Sequence, residues 1–344
     1  MLEFVSVIGA GAWGTTLAIQ MARQGRKVRL WARRPEVAER LELDRENRVL
    51  VPGHKFPTSL QVTSDPAEAV SGSGLVLWVV PSHAFREVVK LVLPYASPGT
   101  VHVSASKGIE DETFSTMTSV LTSEAGGLEG IVGALSGPSF AKEVVSGLPT
   151  AVTLAAADPA VGEWVQALIS TPVFRIYTSS DLVGVQLGGA LKNIYAIAAG
   201  ISDGLELGYN ARAALITRSV AEMSRLARTM GANPLTLSGL SGMGDLILTA
   251  TGELSRNRRV GLRLGRGESL ENILAGSREV AEGVKNAKSV WGLAQAKGLP
   301  LPTAREIYRV LYEGKHPRRG LVDLLTRRLK HELSSDLLEQ DGRE

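Results

Sequence analysis

An α/β fold, with a doubly wound and largely parallel sheet followed by an all-α domain, is the class this 344-residue sequence predicts. Three observations carry it. Short β-branched runs alternate with helical stretches as far as about residue 180, the pattern of a parallel sheet with helices on both faces. From about residue 181 those runs stop and helical periodicity takes over, punctuated by glycine and proline at 231–234, 239–244, 298–302 and 314–317. The first β-branched run leads straight into a G-x-G-x-x-G turn. Two domains are therefore expected, a dinucleotide-binding one over 1–180 and an all-α one over 181–344.

Strand 3–8 opens the chain and runs into Gly9-Ala10-Gly11-Ala12-Trp13-Gly14, with helical character over 15–23. The motif alone is weak in a chain with 37 glycines, but a strand before it and a helix after it make a dinucleotide-binding turn. Gly9 makes the tight turn, Gly11 lets backbone reach a pyrophosphate, and Gly14 lets helix and strand pack closely. The pyrophosphate then rests on amides at the helix N-terminus. Strand 27–32 follows, and an acid at its end would bind the ribose hydroxyls of NAD. Ala32, Arg33 and Arg34 stand there instead. Two guanidiniums suit the 2′-phosphate of NADP, although Glu36 is close.

Further strands are expected at 61–63, 75–80, 100–105, 131–135, 149–156 and 173–177, with helices at 36–44, 84–92, 113–123, 139–146 and 159–169. Several strands end on polar groups. Pro81-Ser82 closes one, and Ser106-Lys107-Gly108 places a lysine at the carboxyl end of the next. Ser136-Gly137-Pro138-Ser139 closes another, with Ser139 a helix N-cap candidate. Each reads alone as turn chemistry; together they line the place where this fold binds ligands.

Lys192 is the only charged residue between Asp181 and Asp203. Leu187, Leu191, Ile194, Ala198 and Ile201 recur at helical spacing, so its helix reads as largely buried. Its neighbours on the helix face are Gly188, Gly189, Tyr195 and Ala196, none of them a carboxylate. A buried ammonium without a partner readily loses its proton and can serve as general base or acid. A lysine that snorkels to the surface is the plain alternative. Downstream, a glycine-rich loop over 238–245 presents Asp245, and Ser255-Arg256-Asn257 groups a hydroxyl, a guanidinium and an amide suited to an anionic ligand. The alternative there is an N-cap at Ser255 followed by solvated arginines.

Composition narrows the remaining classes. Hydrophobic residues make up 44% and charged ones 21%, with a formal net charge of only +3, so nucleic acid is not indicated. Arg256, Arg258, Arg259, Arg263 and Arg266 form the densest basic cluster and read as a phosphate site. With no cysteine, neither disulfides nor a cysteine nucleophile enters, and five scattered histidines show no metal-ligand spacing. The opening core strand excludes a cleaved signal, no apolar run reads as long enough to span a membrane, and a cytoplasmic location is expected.

Taken together, these motifs resemble the bacterial NAD(P)-dependent glycerol-3-phosphate dehydrogenases over nearly the whole chain. The matching residues are 9–14, Ser106-Lys107-Gly108, Ser136 to Ala141, Leu191-Lys192-Asn193, Gly244-Asp245-Leu246, Ser255-Arg256-Asn257 and Val280-Ala281-Glu282-Gly283, in family order. The resemblance implies a Rossmann-type N-terminal domain and a homodimer. It also implies reversible hydride transfer between NAD(P)H and dihydroxyacetone phosphate, supplying glycerol 3-phosphate for phospholipids. Carried over by position, Lys192, Lys107 and Asp245 are catalytic, with Lys192 the proton acceptor. Gly137, Ser139, Ser255, Arg256 and Asn257 join them around the phosphorylated substrate. Gly9, Gly11, Ala12, Trp13, Gly14, Arg33, Arg34, Lys107, Ala141, Arg256, Val280 and Glu282 line the cofactor. No metal is implied. NADP(H) is expected to be preferred, with NAD(H) accepted.

Two rival readings exist. A 3-hydroxyacid or 6-phosphogluconate dehydrogenase shares the nucleotide turn and a helical lysine, but the Ser255 and Ser136 motifs speak against it. An NADP(H)-binding sensor has no need of Lys107, Lys192 and Asp245 together.

Overall fold

The computed structural model describes residues 4–126, 131–276, 281–329 and 331–332. Its strands are β1 (Phe4–Ile8), β2 (Val28–Trp31), β3 (Leu60–Thr63), β4 (Ser73–Trp78), β5 (Val101–Ser104), β6 (Val132–Ser136), β7 (Thr150–Ala156) and β8 (Phe174–Ser179). Helices α1 (Ala12–Arg23), α2 (Pro35–Asp44), α3 (Pro66–Val70), α4 (Phe85–Val92), α5 (Met117–Ala125), α6 (Ala141–Val145) and α7 (Pro159–Ile169) lie between strands. Then come α8 (Leu182–Gly204), α9 (Gly208–Thr229), α10 (Asp245–Thr251), α11 (Arg256–Gly265), α12 (Leu270–Ala275), α13 (Glu282–Ala296), α14 (Pro302–Tyr312) and α15 (Pro317–Leu325). Each strand lies within two residues of its predicted bounds. The chain divides into two compact units, Met1–Lys107 with Ser115–Gln186, and Gly108–Phe114 with Leu187–Glu344.

The first unit holds one eight-stranded sheet in the order β3-β2-β1-β4-β5-β6-β7-β8. Pairings are parallel except β6 with β7, where Leu135 faces Leu154 in antiparallel register. Strand alternation feeds two cores. Val7, Leu30, Leu77 and Val103 pack with Leu17 and Ile19 of α1 on one face. Ile8, Trp31, Val76 and Trp78 pack with Val88 and Val89 of α4 and Val120 and Leu121 of α5 on the other. Each such aliphatic side chain contributes roughly 1.5–3 kcal/mol on burial. The strand order turns back on itself between β1 and β4, so the residues after these two strands flank the crevice where such sheets hold ligands.

The helix expected over 113–123 begins only at Met117. Glu112 and Phe114 take φ of 68° and 55°, a left-handed conformation that a right-handed helix cannot include. Segment 108–114 belongs instead to the helical unit. There Ser289 Oγ donates to Asp111 Oδ1, and the Phe114 ring lies 3.0 Å from where a Cβ on Gly292 would stand.

The helical unit carries no β-strand among its described residues. Its central element is the long helix that contains Lys192. Contrary to the sequence expectation, Leu182–Gly204 is long and apolar enough by composition to cross a membrane. It is a core helix: 89% of its apolar window is buried inside the protein.

Candidate active site

At the carboxyl end of β1 the three glycines of the turn divide their work. Gly9 has φ +118°, and a Cβ there would stand 2.4 Å from the Val79 carbonyl oxygen, so the turn after β1 closes directly on the chain leaving β4. A Cβ on Gly14 would fall 1.9 Å from the Gly9 carbonyl oxygen, which seats α1 against the turn. Nothing lies within 4 Å of a Cβ on exposed Gly11. Packing explains the first two glycines and leaves the third as a bare rim. That rim is what a pyrophosphate needs to reach backbone at a helix start, so the turn fits a dinucleotide. Gly11 is the N-cap of α1 and offers no side chain to its first amides, and Ala12 opens the helix. Trp13 packs its ring 6.3 Å from that of Phe174.

Arg33 and Arg34 follow β2, both exposed, with carboxylates of Glu87 and Glu36 at 3.9 Å and 3.7 Å. Lys107 ends the β5 turn, held from behind by Ser106, whose Oγ donates to Val80 O at 2.6 Å and accepts from Val80 N at 3.1 Å. Lys107 Nζ donates to the Gly137 carbonyl at 3.0 Å. Gly137 is a glycine because its φ is +139° and a Cβ would meet Val152 Cα at 2.9 Å. Ser139 is not the expected N-cap. The helix α6 starts two residues later at Ala141, behind Phe140, and Ser139 Oγ donates to Gly137 O at 3.0 Å. Ala141 in turn offers its carbonyl to Thr16 Oγ1 at 3.2 Å.

In the helical unit, Lys192 is 8% exposed and has a carboxylate after all. Its Nζ donates to Asp245 Oδ1 at 2.6 Å and to Thr249 Oγ1 at 2.8 Å. Thr249 can accept because its own hydroxyl donates to the Asp245 carbonyl at 2.6 Å. The expectation of a partnerless ammonium fails because the partner comes from α10, invisible to helix-face spacing. The small residues beside Lys192 admit the chain's own backbone: a Cβ on Gly188 would stand 2.4 Å from Ser241 O, on the turn that delivers Asp245.

Beside this pair, Asn193 and Asn257 are buried, and Asn257 Nδ2 donates to Asn193 Oδ1 at 2.9 Å. Asn257 Oδ1 accepts from Gly283 N at 3.0 Å, tying α8, α11 and α13 together. Asn193 Nδ2 is buried without a hydrogen-bond partner. Ser255 caps α11, accepting from Arg258 N at 3.2 Å, and Arg256 stands exposed as its first residue. Glu282 is the first residue of α13, half-buried. Val280 lies outside the described residues.

The sequence model described as the NAD-dependent glycerol-3-phosphate dehydrogenase N-terminus matches residues 4–162, and its C-terminal counterpart matches 181–321. The chain belongs to that family. A relative named glycerol-3-phosphate dehydrogenase [NAD(P)+] from Geobacter sulfurreducens is 50% identical over 336 residues, 96% of this chain and 99% of the relative. Among solved structures, the Coxiella burnetii glycerol-3-phosphate dehydrogenase superposes with a TM-score of 0.91 at 38% identity. That match covers 95% of this chain and 99% of the Coxiella one. A ketopantoate reductase from Ralstonia eutropha, at TM-score 0.59 and 17% identity over 92% of this chain and 99% of its own, shares the fold alone.

Within this dehydrogenase, the basic cluster of α11 is not one phosphate site. Arg258 Nε donates to Asp203 Oδ2 at 2.8 Å, and Arg263 Nη2 donates to Glu268 Oε2 at 2.6 Å. Both guanidiniums serve structural ion pairs, which leaves Arg256 as the nearest arginine to the Ser255 cap. Thr249 was missed in the sequence; its one signal is the i,i+4 spacing from Asp245. Tyr195, above Lys192 on the helix, donates its hydroxyl at 3.3 Å to buried Glu222, which accepts from Thr303 N at the start of α14. Burial raises the Glu222 carboxyl above its usual range.

Proposed function

We propose that this chain is an NAD(P)-dependent sn-glycerol-3-phosphate dehydrogenase that prefers NADPH and accepts NADH. One observation carries the reading: the family match runs through both units, taking in the glycine turn and the Lys192–Asp245 pair alike. Residues 1–180 take the dinucleotide and 181–344 the substrate. When bound, the nicotinamide supplies or accepts the hydride.

The chain's own residues handle the proton and the charges. Lys192 carries the proton on Nζ, oriented by Asp245 Oδ1 and Thr249 Oγ1. In reduction it passes to the ketone oxygen as hydride arrives at the carbon; in oxidation the hydroxyl proton returns to Nζ. Lys107 is the second lysine that the family resemblance assigns to the substrate, a cation able to stabilise developing negative charge. The substrate phosphate takes charge-assisted hydrogen bonds from Arg256 and the first amides of α11, each worth about 1.5–3 kcal/mol. Asn193 Nδ2 supplies a neutral donor. Gly137, Ser139 and Asn257 shape the remaining contacts, Ala12, Trp13, Gly14, Ala141, Val280 and Glu282 the cofactor's.

The NADPH preference rests on Arg33 and Arg34. Their exposed, loose pairs with Glu87 and Glu36 are worth only about 0–1 kcal/mol each. A 2′-phosphate offers both guanidiniums short charge-assisted hydrogen bonds, worth about 1.5–3 kcal/mol each, in place of these long contacts. Family resemblance alone supports the remaining parts of the reading: a cytoplasmic homodimer supplying glycerol 3-phosphate for phospholipid synthesis.

The test is consumption of NADPH, followed by absorbance, with dihydroxyacetone phosphate, and of NADH in parallel. Turnover with both and faster turnover with NADPH is expected. Arg33→Ala with Arg34→Ala should raise the NADPH KM about tenfold and leave the NADH KM within about twofold. Equal changes contradict the 2′-phosphate assignment, and no turnover with either cofactor contradicts the substrate.

A further inference from the structure

Between α2 and β3 the chain forms a closed loop over residues 45–57. Arg45 pins its ends, donating to Pro57 O at 2.7 Å and Leu60 O at 2.6 Å, while Phe56 N donates to Arg45 O at 2.8 Å. Val51 and Phe56 are buried beneath it, so it is packed by its own side chains. Asn47, 5% exposed, reaches out of this loop to the glycine turn. Its Nδ2 donates to Ala10 O at 3.2 Å and to Thr15 Oγ1 at 3.0 Å, and its Oδ1 accepts from Leu50 N at 3.2 Å. Thr15 Oγ1 adds a longer bond to the same Ala10 carbonyl at 3.4 Å.

Ala10 is the residue between the two glycines that make the turn and its bare rim. In a planar trans peptide the carbonyl and the following N–H point in opposite directions. Holding Ala10 O toward Asn47 and Thr15 therefore aims the Gly11 N–H the opposite way, and Gly11 itself is bare, with nothing within 4 Å of a Cβ on it. Glycine on one side of this peptide leaves its plane free to rotate, so an external clamp has something to hold. We propose that Asn47 is a positioning residue for the cofactor, clamping the Ala10–Gly11 peptide so that its N–H faces the pyrophosphate. This rests on reading residues 9–14 as the dinucleotide turn. Asn47 acts here through the peptide it holds: its side chain bonds Ala10 O, Thr15 Oγ1 and Leu50 N.

Asn47→Ala and Asn47→Asp separate the clamp from the loop. Asp keeps an acceptor for Leu50 N but cannot donate to Ala10 O. The dissociation constant of NADPH is read from nicotinamide fluorescence without substrate, and amide exchange is read on the protein without cofactor. In both variants NADPH should bind about tenfold more weakly, with kcat at saturating cofactor within about twofold. Exchange should quicken over residues 10–14 in both, while the Asp variant keeps residues 50–56 protected. An unchanged dissociation constant in Asn47→Ala, or unchanged exchange at 10–14, overturns the proposal. Loss of protection over 50–56 in Asn47→Asp overturns it too, since the residue would then merely hold its loop. Wild-type protein that binds NADPH but does not reduce dihydroxyacetone phosphate sinks the substrate reading and leaves the clamp comparison intact.

Discussion

The glycine turn after β1 and the lysine site of the helical unit solve their problems at different ranges. In the turn, six consecutive residues contain all three glycines: Gly14 answers to the Gly9 carbonyl inside the motif, Gly11 leaves a bare rim, and Gly9 answers to its own positive φ and to the Val79 carbonyl beside it. The lysine site is assembled from afar. Asp245 and Thr249 reach Lys192 across sequence separations of 53 and 57 residues. Both regions nevertheless use glycine the same way, since Gly188 admits the Ser241 carbonyl to α8 as Gly14 admits the Gly9 carbonyl to α1. A local site is thus defined by its own backbone, and a non-local one by what its neighbours allow to approach.

The largest effect belongs to the lysine. Lys192→Ala should lower kcat by about 10²–10⁴-fold while NADPH binding changes less than twofold. It also strands the buried Asp245 carboxylate, so denaturant unfolding should show a stability loss of about 3–5 kcal/mol. Asp245→Asn keeps an oxygen for Nζ and should cost less stability. Turnover at the normal rate in a folded Lys192→Ala variant would discard the mechanism.

Glycine substitutions sharpen the contrast between the regions. Gly14→Ala and Gly188→Ala each force a Cβ into a carbonyl oxygen, at 1.9 Å and 2.4 Å, and overpacking of this kind costs about 1–3 kcal/mol. The first should weaken NADPH binding and the second should lower kcat by shifting the turn that carries Asp245. If each variant damaged both quantities equally, the two regions would not be separable in the way described.

A last effect is a pH dependence far from either region. His102 is buried in β5, where its Nδ1 accepts from Trp78 Nε1 at 3.2 Å, and burial lowers its pKa from 6.5 to about 4. Above pH 6.5 the imidazole is neutral in both folded and unfolded chains and costs nothing. As pH falls from 6.5 toward 4 only the unfolded chain takes up the proton, so stability drops by up to about 3 kcal/mol. His102→Gln should flatten that part of the acid-unfolding curve, and an unchanged curve would assign the acid sensitivity elsewhere.

Much of the fold was legible in the sequence because strands, helices and glycine turns answer to neighbours a few residues away. The β-branched runs marked every strand of the sheet, and the G-x-G-x-x-G spacing marked the turn. Misreadings fell where a distant group took over. Lys192 looked partnerless because only its i±3 and i±4 neighbours could be seen from the sequence. Arg258 looked like a phosphate ligand until Asp203, 55 residues away, claimed its guanidinium. Ser139 looked like a cap, but Phe140 takes the N-cap position and the Ser139 hydroxyl donates to Gly137 O. The 113–116 stretch looked helical, but left-handed Phe114 keeps it out of the helix, which begins at Met117. Periodicity and backbone tolerance are properties of adjacent residues, so composition and spacing were enough to establish the architecture and the glycine turn. Which carboxylate neutralises a buried ammonium, and which carbonyl holds a peptide plane, depends on packing between segments dozens of residues apart, and only the folded chain decides it.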